Sequence, residues 1–78
     1  MSKTEAFRAS EYVRHIIQAI DRIFSYVDDI TEPVFLNNPM MQDAVIRNFE
    51  IIGEASRNIE RYHPDFARAH ADIPWADL

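Results

Sequence analysis

The 78-residue chain contains no cysteine, so no disulfide and no thiolate metal site can staple it. Glycine occurs once and proline four times, which excludes long flexible linkers and any glycine-rich loop that could cradle a phosphate. Basic residues are outnumbered, 8 Lys and Arg against 13 Asp and Glu, for a formal net charge of −5. Affinity for a phosphate backbone comes mainly from Lys and Arg, so nucleic acid could be held only through a local basic patch or a basic partner. The apolar runs are a few residues long, too short to span a bilayer, and Met1-Ser2-Lys3-Thr4-Glu5-Ala6 has no apolar core of signal-peptide length. A cytoplasmic location with no membrane contact is the expectation.

What remains is a chain that is 47% hydrophobic. Its length allows one domain, and a domain this small buries only about 60% of its unfolded surface. With no disulfide or metal to help, oligomerisation is the ordinary route to a larger core.

The periodicity is helical. Val13, Ile16, Ile17, Ile20, Ile23, Phe24 and Val27 recur in steps of three and one, the stripe of an amphipathic helix and not the alternation of a strand. Ser10 is the expected N-cap, with Glu11 placed where the helix dipole favours an anion. Asp28 and Asp29 oppose continuation, because acids are unfavourable at a helix C-terminus. Thr31-Glu32-Pro33 suits a short helical turn, with Val34, Phe35 and Leu36 tucked under the long helices.

A second long helix is expected from Pro39 to Tyr62. Asn38 is its N-cap, Pro39 takes the first helical position, and Pro64 ends it. Its stripe runs through Met41, Ala44, Val45, Phe49, Ile52, Ala55, Ile59 and Tyr62. Two helices of such length on a short connector should lie antiparallel. Residues 65–70 fit a turn or two of helix, and Ile73-Pro74-Trp75 reads as the opening of a third. The expected fold is therefore all-α: an antiparallel bundle of two long helices plus short helical segments, completed by dimerisation, with residues 1–78 as one domain.

Few residues suggest chemistry. Gly53 sits inside the second helix, where it costs about 1 kcal/mol against Ala. With the small residues Ala55 and Ser56 beside it, the expectation is close helix–helix packing. Arg47, Glu50, Glu54, Arg57 and Arg61 share a polar side, where residues three apart, Arg47–Glu50 and Glu54–Arg57, can pair. The first reading of that side is a solvated face; the second is a groove for RNA or a partner. Arg57 and His63 have an Arg-x5-His spacing that could serve metal-independent RNA cleavage, the imidazole moving the proton and the guanidinium stabilising phosphate charge. Six residues of helix turn the pair about 120° apart, and a His at a helix C-terminus is favoured by the dipole alone. We rank that structural role ahead of catalysis. His15, His63 and His70 are scattered with no metal-binding spacing, and no cofactor is indicated.

The run Ala44-Val45-Ile46-Arg47-Asn48-Phe49-Glu50-Ile51-Ile52-Gly53-Glu54-Ala55-Ser56, with Ile73-Pro74-Trp75 downstream, closely resembles the HepT-like proteins of the HEPN superfamily of helical ribonucleases. Val34-Phe35-Leu36-Asn37-Asn38 and the Ile-rich first helix match as well, so the resemblance covers nearly the whole chain. It implies a dimeric helical bundle and a ribonuclease toxin encoded beside a minimal nucleotidyltransferase antitoxin. That antitoxin adenylylates a tyrosine near the catalytic histidine. The family's Arg-x4-6-His motif lies on the helix that opens around Ile-Pro-Trp. Here that helix would only begin before Leu78, so the expectation is a chain lacking the catalytic helix. Arg57, Tyr62 and His63 stand in the wrong place for the family roles, which are not transferred to them.

Overall fold

The computed structural model describes residues 7–78. Its elements are α1 (Ala9–Val27), α2 (Glu32–Leu36), α3 (Pro39–Tyr62), α4 (Pro64–Ala69) and a closing 3-10 turn at Trp75–Asp77. The fold is all-α, with no strand among the described residues.

α1 begins one residue before the expected cap. Arg8, not Ser10, is the N-cap. The reason is Glu11, which from the first turn accepts the Arg8 backbone N–H at 2.8 Å. One carboxylate thereby satisfies an otherwise orphaned donor and sits at the positive end of the dipole. That backbone hydrogen bond, more than the nearby Arg8 and Arg14 charges, holds the Glu11 carboxyl below its ordinary value. α1 ends at Asp28, and Asp29 turns the chain with φ 61°, a left-handed conformation that Asp tolerates better than most residues.

α3 starts as its sequence dictates. The Asn38 side chain accepts the Met41 N–H at 3.0 Å, with Pro39 at the first helical position. Gln42 donates from Nε2 to the carbonyls of Phe35 and Leu36 at 2.9 and 3.0 Å. These bonds tie the C-terminal carbonyls of α2 to α3. His63 caps α3 through its N–H to the Ile59 carbonyl and is also the N-cap of α4.

α1 and α3 pack as an antiparallel pair. Tyr12, near the start of α1, clusters with Ala55 and Ile59, late in α3. Further along α1, Arg22 donates from Nε to Asn48 Oδ1 at 2.7 Å, and Asn48 returns its Nδ2 to the Ala44 carbonyl at 2.8 Å. Asn48 is 4% exposed, so this pair of bonds is what makes its burial tolerable.

The buried line of α1 differs from the expected stripe. Tyr12 and Ala19 are its buried residues, whereas Ile17, Ile20 and Phe24 are exposed. On α3, Val45, Ile52, Ala55 and Ile59 are buried as expected, but Phe49 and Tyr62 are exposed. The stripes are wider than one neighbouring helix can cover, so each helix buries the middle of its apolar arc and leaves a flank open.

The third helix expected after Pro74 is a single 3-10 turn. It is held from both sides: Trp75 is 7% exposed in the core cluster with Phe66 and Ala67 packed against it, and its Nε1–H points to the carbonyls of Ala67 and His70 at 3.2 Å.

Because the native state lowers the Glu11 pKa, its stabilisation is complete above the ordinary carboxyl value of 4.5 and is lost as pH falls through the native value. Thermal melts followed by circular dichroism should show Glu11→Gln less stable than the parent at neutral pH. The gap should shrink on acidification below about pH 4.5. A pH-independent gap would contradict the role given to this carboxylate.

Candidate functional site

α3 presents four different surroundings around its circumference. One side is the seam with α1, where Ala55 meets Tyr12. Next to it lie Gly53 and Ser56, which face the C-terminal tail and not α1. A Cβ on Gly53 would stand 3.6 Å from the Leu78 carbonyl oxygen and 3.2 Å from Arg57 Nη1. Ser56, fully buried, donates its hydroxyl to the Trp75 carbonyl at 2.5 Å. Ala55 serves the neighbouring helix, while Gly53 and Ser56 admit the tail.

The third side carries Arg47, Glu50, Glu54 and Arg57, all exposed. Arg47 and Glu50 approach to 3.9 Å, a surface pair of the kind worth under about 1 kcal/mol. Glu54 and Arg57 form no ion pair among the described residues. Two arginines and two glutamates cancel in charge, so these four positions make no basic patch for phosphate.

Arg57 and His63 are not brought together. Arg57 lies beside Gly53 and Leu78. His63 turns toward the start of α1, where Nε2 is 2.7 Å from the Phe7 carbonyl and the ring stands 6.0 Å from that of Tyr12. His15 stacks edge-on against Phe7 and Tyr12. An aromatic knot of Phe7, Tyr12, His15 and His63 thus fastens the N-terminal end of α1 to the C-terminal end of α3. Among the described residues, no cluster of His, Asp or Glu could hold a metal ion, and no helix is long and apolar enough to cross a membrane.

The fourth side is an apolar trough of about 800 Å³ between α1 and α3, closed at one end by the tail. Ile16 and Ile20 form one wall, Phe49 and Ile52 the other, and Trp75 and Leu78 the end. Sequence patterning supplied the stripes that make these walls. Their excess width, visible in Ile17, Ile20, Phe24 and Phe49, was the available signal that two helices would not cover them.

Residues 16–78 match the family model for ribonuclease HepT-like proteins. The chain belongs to the HepT-like family. Its relatives include a probable ribonuclease HepT of Thermococcus cleftensis, 43% identical over 68 residues, which are 87% of this chain and 59% of that protein. A Methanocaldococcus jannaschii protein whose name pairs gamma-glutamylcyclotransferase with RNase is 41% identical over 67 residues, 86% of this chain and 29% of that one. A Caldanaerobacter subterraneus protein also named as an RNase is 31% identical over 67 residues, 86% of this chain and 57% of that one. The match thus spans between 29% and 59% of the length of these relatives. No solved structure matches the chain. Within the family string, Asn48 is the polar anchor of the α1–α3 seam, Ser56 bonds the downstream Trp75, and Gly53 leaves room for the Leu78 backbone.

Removing the Ser56 hydroxyl takes from the Trp75 carbonyl its shorter hydrogen bond and leaves it the Leu78 N–H at 3.3 Å, at a cost of about 0.5–1.5 kcal/mol. Ser56→Ala should lower the melting temperature and shift emission of the single tryptophan to the red as the tail loosens. Unchanged stability and emission would show that the tail is held without this bond.

Proposed function

We propose that the chain is the helical platform of a HepT-like ribonuclease, with RNA as the substrate class of the whole enzyme. The observation that carries this reading is the family match over residues 16–78, supported by relatives named as ribonucleases in both archaea and bacteria. By the same resemblance it would act in the cytoplasm as the toxin of a toxin–antitoxin pair, as a homodimer, with a minimal nucleotidyltransferase as antitoxin.

RNA cleavage without a metal needs a proton-transfer group and a phosphate-stabilising cation within reach of one phosphodiester. The positions that fit the spacing, Arg57 and His63, face the tail and the start of α1 respectively. Holding a polyanion also calls for several unpaired cations, and the outward side of α3 alternates them with glutamates. On this reading the described residues supply a scaffold, and Arg57 and His63 do not form a cleavage site among them. Incubated with RNA in EDTA, this polypeptide should leave the substrate intact. Cleavage that disappears in His63→Ala would overturn this and give the Arg57–His63 pair the catalytic role.

A second reading, of a different class, is a non-enzymatic helical interaction module. It is favoured by the open flanks of both long helices, where Ile17, Phe24, Ile46 and Phe49 are each more than half exposed. Both readings expect self-association. Light scattering should give a mass above that of the 9.1 kDa chain, rising with concentration. A monomer at every concentration would remove the dimer.

A further inference from the structure

We infer that the cleft between the start of α1 and the later half of α3 binds an alkylated ammonium head group, boxed by the rings of Phe7, Tyr12 and His15 and faced by the Glu54 carboxylate. The inference does not depend on ribonuclease activity. The cleft also shares no lining residue with the apolar trough.

Helical spacing assembles the cleft. Ile51, Glu54, Ala55 and Asn58 stand at i, i+3, i+4 and i+7 of α3, and Tyr12 and His15 at i and i+3 of α1, so each set lines one face of its helix. Together with Phe7, which precedes α1, they surround about 250 Å³. Sites that take a drug-sized ligand measure about 300–1,000 Å³, so this cleft has room for a head group and not for a large molecule.

Three aromatic rings meet there at nearly right angles. The planes of Phe7 and Tyr12 are 78° apart, those of Phe7 and His15 88°, and those of Tyr12 and His15 87°, with centroids separated by 5.6, 5.3 and 6.2 Å. Phe7 is placed by its backbone. Its N–H donates to Tyr12 Oη at 3.3 Å, and its carbonyl lies 2.7 Å from His63 Nε2. Its ring nevertheless stays more than half exposed. Two side chains thus hold the Phe7 backbone in a position that burial of the ring does not account for, and the ring is presented over the cleft.

The charge of the cleft selects the ligand. Ring faces are the negative part of the aromatic quadrupole. Glu54 adds a full negative charge and makes no ion pair among the described residues. No Lys or Arg lines the cleft, and the chain as a whole carries −5. Such surroundings attract a cation and repel a phosphate. The walls decide which cation. A hard ion such as Ca²⁺ takes 6–8 oxygen ligands, and one carboxylate with one amide falls far short of that. A primary ammonium is compact and strongly hydrated, so it gives up much on entering a ring-lined space. An alkylated ammonium packs its methyl groups on the rings while its charge is attracted by their faces, the usual function of an aromatic cage. Asn58, half-buried in the same lining, supplies an amide for a polar group beside the head, such as a hydroxyl.

The test titrates the intact 78-residue protein with choline chloride, followed by NMR. The controls are sodium chloride at equal ionic strength and 3,3-dimethylbutan-1-ol, the uncharged carbon analogue of choline. Choline should give saturable shifts of the Phe7 and His15 ring protons, and its methyl protons should move upfield in the ring currents. The neutral analogue and sodium chloride should not. Glu54→Gln and Phe7→Leu should each weaken choline binding about two- to fivefold, the size of an exposed cation–ring or ion-pair contact. Both side chains are exposed, and circular dichroism checks that the variants keep the fold. Glu60→Gln, which changes the net charge equally from an exposed position outside the cleft, should bind as the parent does. Absence of saturable shifts overturns the inference. So does an equal response to the neutral analogue, which would make the cleft a merely apolar one, and so does binding that Glu54→Gln and Phe7→Leu leave unchanged.

Discussion

The seam between α1 and α3 combines one apolar cluster with one polar bridge, and the placement of every other element follows from it. Tyr12 meets Ala55 and Ile59 at one end, while Arg22 and Asn48 meet toward the other. Apolar burial supplies most of the free energy but is non-directional. The Arg22–Asn48 bond adds what burial lacks, a fixed register. A slide of α1 along α3 by one turn would leave Asn48 Oδ1 buried without its Arg22 partner, while Nδ2 keeps the Ala44 carbonyl. Ile59, fully buried at the centre, is the position where truncation to Ala should cost most, about 2–5 kcal/mol.

With the pair fixed, the tail has one place to go. Gly53 and Ser56 leave a shallow strip on α3 beside the seam. The Trp75 carbonyl meets the Ser56 hydroxyl there, and the Leu78 backbone passes over Gly53. The intrinsic helix cost of Gly53, about 1 kcal/mol, is set against that contact. The same placement closes one end of the trough, so the segment Ile73-Pro74-Trp75 both completes the small core and shapes the open apolar face.

Function and stability are divided in this architecture. The buried residues of the family string, Val45, Asn48, Ile52, Gly53, Ala55 and Ser56, are committed to packing. Its charged residues, Arg47, Glu50 and Glu54, are solvated, and with Arg57 just beyond it they balance in sign. Histidines near the seam serve as fasteners: His63 caps two helices and holds the Phe7 carbonyl. The apolar trough is the face where the flanks of both stripes stay open, with Ile20 and Phe49 exposed.

Much of the fold was legible in the residues because the relevant rules are local. Asn38 and Pro39 start a helix, Pro64 stops it, and three-and-four spacing makes a stripe, all within a few residues of chain. The all-α class, the span Pro39–Tyr62 and the family resemblance followed from such signals. Other features were decided only in three dimensions. Glu11 outcompeted Ser10 for the α1 cap because a carboxylate three residues on reaches the Arg8 N–H. Gly53 turned out to face the tail, since helical periodicity gives a residue its angle but not its neighbour. Which part of each wide stripe is buried, and that Arg57 and His63 look to different sides, depended on where α1 and the tail came to rest. One sequence of angles is compatible with several partners, and only the packed structure chooses among them.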